Sequence, residues 1–172
     1  MPKAQRKTLR PTSNKVREAL FNILREKTIN AGFLDLYAGT GAVGIAALKE
    51  GASEVVFVES VRSYAGEIEA LLNKFDFAGE ASIITMKALP YLGRAEARGS
   101  LFDIIFLDPP YHTDEIEHAL EMIGKSRILA DDGIVIAEHY VKKRLPDIFD
   151  KLKKIKDYNY GDTVLSFYIE SE

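Results

Sequence analysis

The sequence contains the motif DPPY, whose groups are suited to holding a planar amine. It consists of Asp108, Pro109, Pro110 and Tyr111. Two successive prolines have no backbone N–H groups, and their carbonyl oxygens lack a local partner. The Asp108 carboxylate and the Pro109 carbonyl can therefore accept both N–H bonds of a planar amine, while Tyr111 stacks on the ring that carries it. The alternative is an ordinary proline-rich loop after a strand.

A second motif, GTGAVG, fits the G-x-G-x-x-G pattern of turns that bring the backbone close to a bound cofactor. Gly39 and Gly41 supply the conformational freedom that such a tight turn needs. Glu59 ends the next predicted strand, where a carboxylate can bind ribose hydroxyls. These features fit NAD and S-adenosylmethionine equally, since both molecules contain adenosine.

Asp35 favours one of these two cofactors. It lies shortly before Gly39, at the end of the strand beneath the glycine turn, so its carboxylate faces the middle of a bound ligand. The pyrophosphate of NAD would be repelled there, whereas the sulfonium and ammonium of S-adenosylmethionine would be attracted. In the alternative interpretation, Asp35 hydrogen-bonds the glycine loop and contacts no ligand.

The motifs fall at the ends of strands in a pattern of alternating helices and strands. The predicted helices cover 13–27, 42–50, 61–77, 112–126 and 141–154, and the predicted strands cover 33–37, 54–59, 81–86, 101–108 and 133–139. The final segment predicts two strands that turn at Gly161 and Asp162. This alternation indicates an α/β fold with a doubly wound, mostly parallel sheet. The terminal hairpin has no room for a crossover helix, so one strand near an edge runs antiparallel.

Composition narrows the class of protein further. The absence of cysteine excludes disulfides and thiol catalysis, and no metal-ligand spacing is present. No apolar run is long enough to span a membrane, and the first residues lack the apolar region of a secretory signal. We expect one cytoplasmic domain over 1–172, with a basic arm and helix at about 1–27.

The net charge is −3, but residues 1–17 contain six basic and no acidic side chains. Such an arm is typical of a nucleic-acid contact or, equally, of a solvated tail.

Several segments, in their order, resemble the RsmD-like family of amino-group methyltransferases. They are LRPTSNKVREALFNIL, GASEVVFVE, FDIIFLDPPY, AEH and YGDTVLSFY, and they cover nearly the whole chain. Members of this family use S-adenosylmethionine to methylate the N2 amine of a guanine in small-subunit (16S) ribosomal RNA. RPT followed by VREALFN is the most specific part, because DPPY also occurs in adenine and cytosine amino-methyltransferases.

The resemblance implies a Rossmann-like class I methyltransferase sheet and a role for each matching residue. The DPPY residues are expected to be catalytic and to hold a flipped guanine. The implied cofactor-binding residues are Asp35, Tyr37, Ala38, Gly39, Thr40, Gly41, Glu59, Ser60, Lys87, Ala88 and Asp108. The residues expected to contact RNA are Arg10, Thr12, Lys15 and Arg17.

Two departures from the family pattern keep other hypotheses open. Family members tend to have an aspartate after the third strand, where this chain has Lys87, which cannot accept a hydrogen bond from the adenine amine. The basic segment ahead of LRPT is also shorter than usual. The alternatives are a DNA adenine or cytosine amino-methyltransferase and a catalytically idle RNA-binding assembly factor. An NAD oxidoreductase fits least, because it leaves DPPY unexplained.

Overall fold

The computed structural model of the protein describes residues 12–171. Its helices are α1 (Asn14–Leu24), α2 (Ala42–Lys49), α3 (Arg62–Lys74), α4 (Ala88–Ala97) and α5 (Glu115–Lys125). Its strands are β1 (Gly32–Asp35), β2 (Glu54–Val58), β3 (Ala81–Ile84), β4 (Phe102–Leu107), β5 (Leu129–Tyr140), β6 (Ile148–Phe149), β7 (Leu152–Tyr160) and β8 (Thr163–Glu170). None of these described helices is both long enough and apolar enough to cross a membrane.

The strands form one sheet in the order β3-β2-β1-β4-β5-β8-β7-β6. The first five strands in this order are parallel to one another. Strand β8 pairs antiparallel with β5, and the β7–β8 and β6–β7 pairs are also antiparallel. The predicted doubly wound sheet with an antiparallel strand near one edge is therefore confirmed. Strand order reverses between β1 and β4, where ligands bind in sheets of this kind.

Alternate side chains of the parallel strands face two separate hydrophobic clusters. On one face, Phe33, Phe57 and Phe106 pack against α1, α2 and α3. On the other face, residues such as Leu34 and Ile105 pack against α4 and α5. Both faces of the parallel strands are covered, which explains their nearly continuous apolar sequences.

The predicted helix at 141–154 is wrong. Phe149 and Leu152 are buried three residues apart, which imitates helical spacing. They are instead cross-strand partners in the β6–β7 hairpin. Asp150 in the connecting turn has a φ of 54°, in the left-handed region. A tight hairpin thus brings residues i and i+3 to the same side, as a helix would.

The sequence pattern also missed α4, which follows β3 and covers one face of the sheet. Tyr91, Leu92 and Ala95 provide its buried side. The other predicted helices and strands occur in the structure, with ends that differ by a few residues. The terminal hairpin turns at Gly161, as expected.

We predict that Gly44 is required for the close packing of α2 on β2. A Cβ atom at this position would overlap the aromatic ring of Phe57. Gly44→Ala should lower the free energy of unfolding by roughly 1–3 kcal/mol, the usual cost of overpacking a core. Urea-induced unfolding followed by circular dichroism measures this change.

The matched control is Gly66→Ala in α3, where an added Cβ meets no atom within 4 Å. This change should raise the free energy of unfolding by roughly 0.5–1 kcal/mol, because alanine favours a helix more than glycine does. Equal effects of the two substitutions would contradict the packing role of Gly44.

Candidate active site

Four acidic side chains come together where the parallel strands end. Asp35 pairs in register with Phe57 of β2 and Phe106 of β4. Glu59 follows Phe57 by two residues, and Asp108 follows Phe106 by two, so both continue the same face. Glu138 of β5 lies beside Asp108, because Leu107 and Ala137 are register partners one residue earlier.

Glu59 fixes the position of the glycine turn. Its Oε1 atom accepts a hydrogen bond from the Gly39 N–H at 2.9 Å, and its Oε2 atom accepts one from the Val61 N–H at 2.7 Å. Gly39 and Gly41 have φ values of 54° and 81°, which explains why glycine occurs at both positions. The carboxylate therefore ties the end of β2 to the loop between β1 and α2.

Asp35 is buried beneath the same loop. Its Oδ2 atom accepts a hydrogen bond from the Gly44 N–H at 3.0 Å, in the first turn of α2. Burial, with smaller contributions from the negative charges of Glu59 and Glu138, raises the pKa of Asp35 to about 7, although the hydrogen bond from Gly44 acts in the opposite direction. The hydrogen bond to the glycine motif that the alternative interpretation of Asp35 expects is therefore present.

The Thr12 hydroxyl lies between the carboxyl groups of Asp108 and Glu138. The Thr12 Oγ1 atom is 2.6 Å from Glu138 Oε2 and 3.4 Å from Asp108 Oδ2. Burial raises the pKa of Glu138 to about 7, and the hydrogen bond from Thr12 opposes this shift. Burial also raises the pKa of Asp108 well above its usual range, as do the charges of Glu138 and Asp35.

Within residues 12–171, none of these four acidic side chains forms a salt bridge. Among residues 12–171, the salt bridges lie elsewhere, chiefly on α5 and around β7. The same part of the chain contains no group of side chains arranged to hold a metal ion. A buried, unpaired cluster of carboxyl groups attracts an organic cation and repels a pyrophosphate. The acidic side chains at the ends of the parallel strands therefore fit S-adenosylmethionine and disfavour NAD.

The last three residues of the DPPY motif line a cavity of about 290 Å³, called here the DPPY cavity, and Glu138 of the acidic group belongs to the same wall. The ring of Tyr140 also borders it and lies 6.1 Å from that of Tyr111, at an interplanar angle of 31°. The volume is near the lower end of the range for small-molecule sites.

The other residues expected to bind the cofactor also lie at the ends of the strands. Ala38 donates its N–H to the Val58 carbonyl at 2.9 Å and is buried with Gly39 at the turn. Tyr37 packs against the cluster under α4 and α5, and burial together with the charge of Glu115 raises its pKa. The remaining positions are Thr40, which is partly buried, Ser60 and Lys87, which are exposed, and Ala88, which begins α4.

The residues expected to contact RNA fall into three groups. Arg10 lies outside the described residues. Lys15 is exposed on α1, and Arg17 on the same helix donates to the Asn14 side chain at 2.6 Å. Thr12, by contrast, is only 6% exposed and faces the acidic side chains. Sequence reasoning missed this internal contact because it joins residues far apart in the chain.

His139 is adjacent to Glu138, but its ring belongs to a separate hydrogen-bond network. Its Nε2 atom lies 2.7 Å from Ser166 Oγ, and its Nδ1 atom lies 3.1 Å from the Tyr140 carbonyl. Burial lowers the pKa of His139. Its contacts tie β5 to β8 at the edge of the DPPY cavity.

A parallel sheet that reverses order beside a glycine turn, and ends in antiparallel strands, defines the Rossmann-like fold of class I S-adenosylmethionine-dependent methyltransferases. The sequence profile described as "Conserved hypothetical protein 95" matches residues 1–169. The chain therefore belongs to this family, which is the RsmD family.

Named relatives agree with this assignment. The chain is 31% identical over 140 residues to ribosomal RNA small subunit methyltransferase D of Escherichia coli, which covers 81% of this chain and 69% of the relative. It is 30% identical over 157 residues to the protein of the same name from Haemophilus influenzae, with coverages of 90% and 81%. Among solved structures, the Escherichia coli protein yhhF is similar with a TM-score of 0.85 at 26% identity, covering 94% of this chain and 88% of that one.

We predict that Asp35 makes the stability of the cofactor-free protein depend on pH. The pKa of Asp35 is about 7 in the folded protein, whereas an aspartate without such contacts, as in the unfolded chain, has a pKa of 3.8. A carboxyl group that binds its proton more tightly when folded stabilises the fold at low pH, and this contribution is lost as the pH rises from about 4 to about 7. Asp35→Asn cannot ionise, yet it keeps an oxygen acceptor for the Gly44 N–H.

The Asp35→Asn variant should therefore gain stability relative to the wild type between about pH 5 and about pH 8. The gain should reach a few kcal/mol, since one pKa unit corresponds to about 1.4 kcal/mol. Urea unfolding at each pH measures it, and the exposed Asp131→Asn is the matched control. A stability difference that does not change with pH would contradict the buried, unpaired state of Asp35.

Proposed function

We propose that this protein transfers the methyl group of S-adenosylmethionine to the exocyclic N2 amine of a guanine in small-subunit (16S) ribosomal RNA. Its partner would be ribosomal RNA or the small ribosomal subunit, in the cytoplasm. The observation that carries the proposal is that Asp108 directly precedes Pro109 of the cavity wall and lies beside Glu138, in a group of acidic side chains that form no salt bridge within residues 12–171. The relatives named ribosomal RNA small subunit methyltransferase D support the choice of substrate.

The cofactor would lie across the ends of β1, β2 and β4. Asp35 and the turn at Gly39 and Gly41 would bind its cationic methionine part, and Glu59 would bind its ribose. Backbone groups at Lys87 and Ala88 would contact the adenine, since the Lys87 side chain cannot accept a hydrogen bond from the adenine amine. S-adenosylmethionine supplies a methyl group that is activated by the neighbouring sulfonium charge.

The DPPY residues would hold and orient the target amine. A base must leave the helical stack before its amine can be reached, so the guanine would be flipped into the cavity beside Tyr111. The Asp108 carboxylate and the Pro109 carbonyl would accept the two N–H bonds. Positive charge develops on the nitrogen during the attack, and two fixed acceptors stabilise that charge without reorganisation. Alignment of the reacting atoms contributes further to the rate.

The direct test offers S-adenosylmethionine labelled in its methyl group to three substrates in parallel. These are unmethylated small ribosomal subunits, naked ribosomal RNA and duplex DNA. We expect label in RNA that digests to N2-methylguanosine. Label in DNA alone would replace the proposal with a DNA amino-methyltransferase. Binding of the cofactor without transfer to any substrate would instead favour an RNA-binding assembly factor.

We predict that Asp108→Ala abolishes methyl transfer and leaves S-adenosylmethionine binding within a few-fold of wild type. The substitution removes an acceptor for the amine, whereas Asp35 and Glu59 remain in place for the cofactor. Single-turnover transfer and calorimetric binding measure the two effects separately. Equal loss of binding and transfer in a folded variant would contradict the assigned role of Asp108.

Tyr111→Ala should slow transfer by roughly 5- to 150-fold, which corresponds to the 1–3 kcal/mol typical of stacking between a base and an aromatic ring. Tyr111→Phe is the matched control, because it keeps the ring, and its rate should stay close to that of the wild type. A Phe variant as slow as the Ala variant would show that the phenol, and not stacking, is what matters.

A further inference from the structure

We propose that the Thr12 hydroxyl passes a proton from Asp108 to Glu138 after methyl transfer. The inference rests on the proposed function, because it assigns the path by which the product amine loses its proton. It gives Thr12 a role inside the site, in contrast to the RNA contact expected from the sequence. Thr12 acts through Asp108 and is therefore a positioning residue.

The geometry identifies the direction of the relay. A threonine hydroxyl has one proton to donate and two lone pairs to accept with. The short distance of 2.6 Å to Glu138 Oε2 assigns the proton of the hydroxyl to that bond. The oxygen then has a free lone pair for Asp108, whose Oδ2 atom is 3.4 Å away. Such contacts are commonly long before the substrate binds and shorten in the loaded site.

The fold holds Thr12 in this place. Ser13, the next residue, caps α1 by accepting the Val16 N–H at 3.2 Å. Val16 and Leu20 anchor the helix in the core that covers one face of the sheet. Thr12 is consequently fixed over the ends of β4 and β5 and is 6% exposed.

Each step of the proposed path balances its atoms. Attack on the methyl group leaves a positively charged secondary amine, whose N–H bond breaks as an O–H bond forms on Asp108. Asp108 then gives this proton to the Thr12 oxygen, while the hydroxyl proton of Thr12 moves to Glu138. Asp108 returns to the ionised form that can accept the next amine.

Glu138 is a suitable end for this path. It lies in the wall of the cavity of about 290 Å³, from which a proton can leave. The acidic groups around it are Asp108 and Asp35. The other ionisable side chains in the same cavity wall include His112, His139, Lys142 and Lys143. Lys143 is bound to Glu117 at 2.9 Å.

The test compares Thr12→Val, which removes the hydroxyl but keeps the shape, with Thr12→Ser, which keeps the hydroxyl. We expect Thr12→Val to lower kcat at pH 7 by at least roughly tenfold, less than the roughly 100-fold or more typical of losing a general acid or base, because Thr12 relays the proton and does not take it from the substrate. The KM for RNA and the Kd for S-adenosylmethionine should remain unchanged. Thr12→Ser should stay within about threefold of wild type, since the relay needs only the hydroxyl. The defect of Thr12→Val should shrink at high pH, where hydroxide can deprotonate Asp108.

Glu138→Gln should reproduce the Thr12→Val defect, and the double variant should be no slower than either single variant, because both block one path. Equal rates for Thr12→Val and wild type would overturn the relay. A rise in KM with unchanged kcat would also overturn it and would restore the RNA-contact role of Thr12.

A measurement without substrate separates this inference from the proposed function. The hydrogen bond from Thr12 lowers the pKa of Glu138, so Thr12→Val should raise the pH at which the infrared band of the protonated carboxyl group disappears. Glu138→Gln identifies the band. An unchanged titration would contradict the hydroxyl–carboxylate contact even if the protein methylated an unexpected substrate.

Discussion

Mutual repulsion among buried carboxyl groups is the constraint on which this site depends. Parallel pairing of adjacent strands brings four acidic side chains together at the carboxyl ends of the strands. This acidic edge consists of Asp35, Glu59, Asp108 and Glu138. Three of them accept hydrogen bonds from neutral donors, which are backbone N–H groups for Asp35 and Glu59 and the Thr12 hydroxyl for Glu138. Neutral donors reduce the cost of burial but leave the negative charge uncompensated, so the edge favours a cationic ligand.

The glycine turn and the acidic edge are parts of one arrangement. Glu59 accepts a hydrogen bond from Gly39 in the loop between β1 and α2, and Asp35 accepts one from Gly44 in the first turn of α2. Gly44 also allows α2 to approach the ring of Phe57. The positive φ values at Gly39 and Gly41 turn the backbone back over the strand end. The residues that shape the loop are thus the same ones whose charges suit the cofactor.

Sequence patterns predicted the parts of this fold that rely on local periodicity. The parallel strands, the antiparallel edge and the two motifs follow from apolar runs and from glycine and proline positions. The prediction of a helix at 141–154 was wrong, because Phe149 and Leu152 are three residues apart in the sequence, as on one side of a helix, but face each other across a hairpin. The sequence placed Thr12 among the expected RNA contacts and gave no sign of its contact with Glu138, because that contact joins distant parts of the chain and leaves no trace in local periodicity.

Burial keeps Asp35 and Glu138 partly protonated near pH 7 until a cation binds. Calorimetric titration of S-adenosylmethionine at pH 7, in buffers of different ionisation enthalpy, measures the protons exchanged on binding. The pKa of about 7 for Asp35 predicts net proton release, because a nearby cation favours the ionised form. Fewer protons should be released when the thioether product of the cofactor binds, because its sulfur has no charge. Fewer should also be released when S-adenosylmethionine binds to the Asp35→Asn variant. Binding with no proton release in any of these cases would contradict the account.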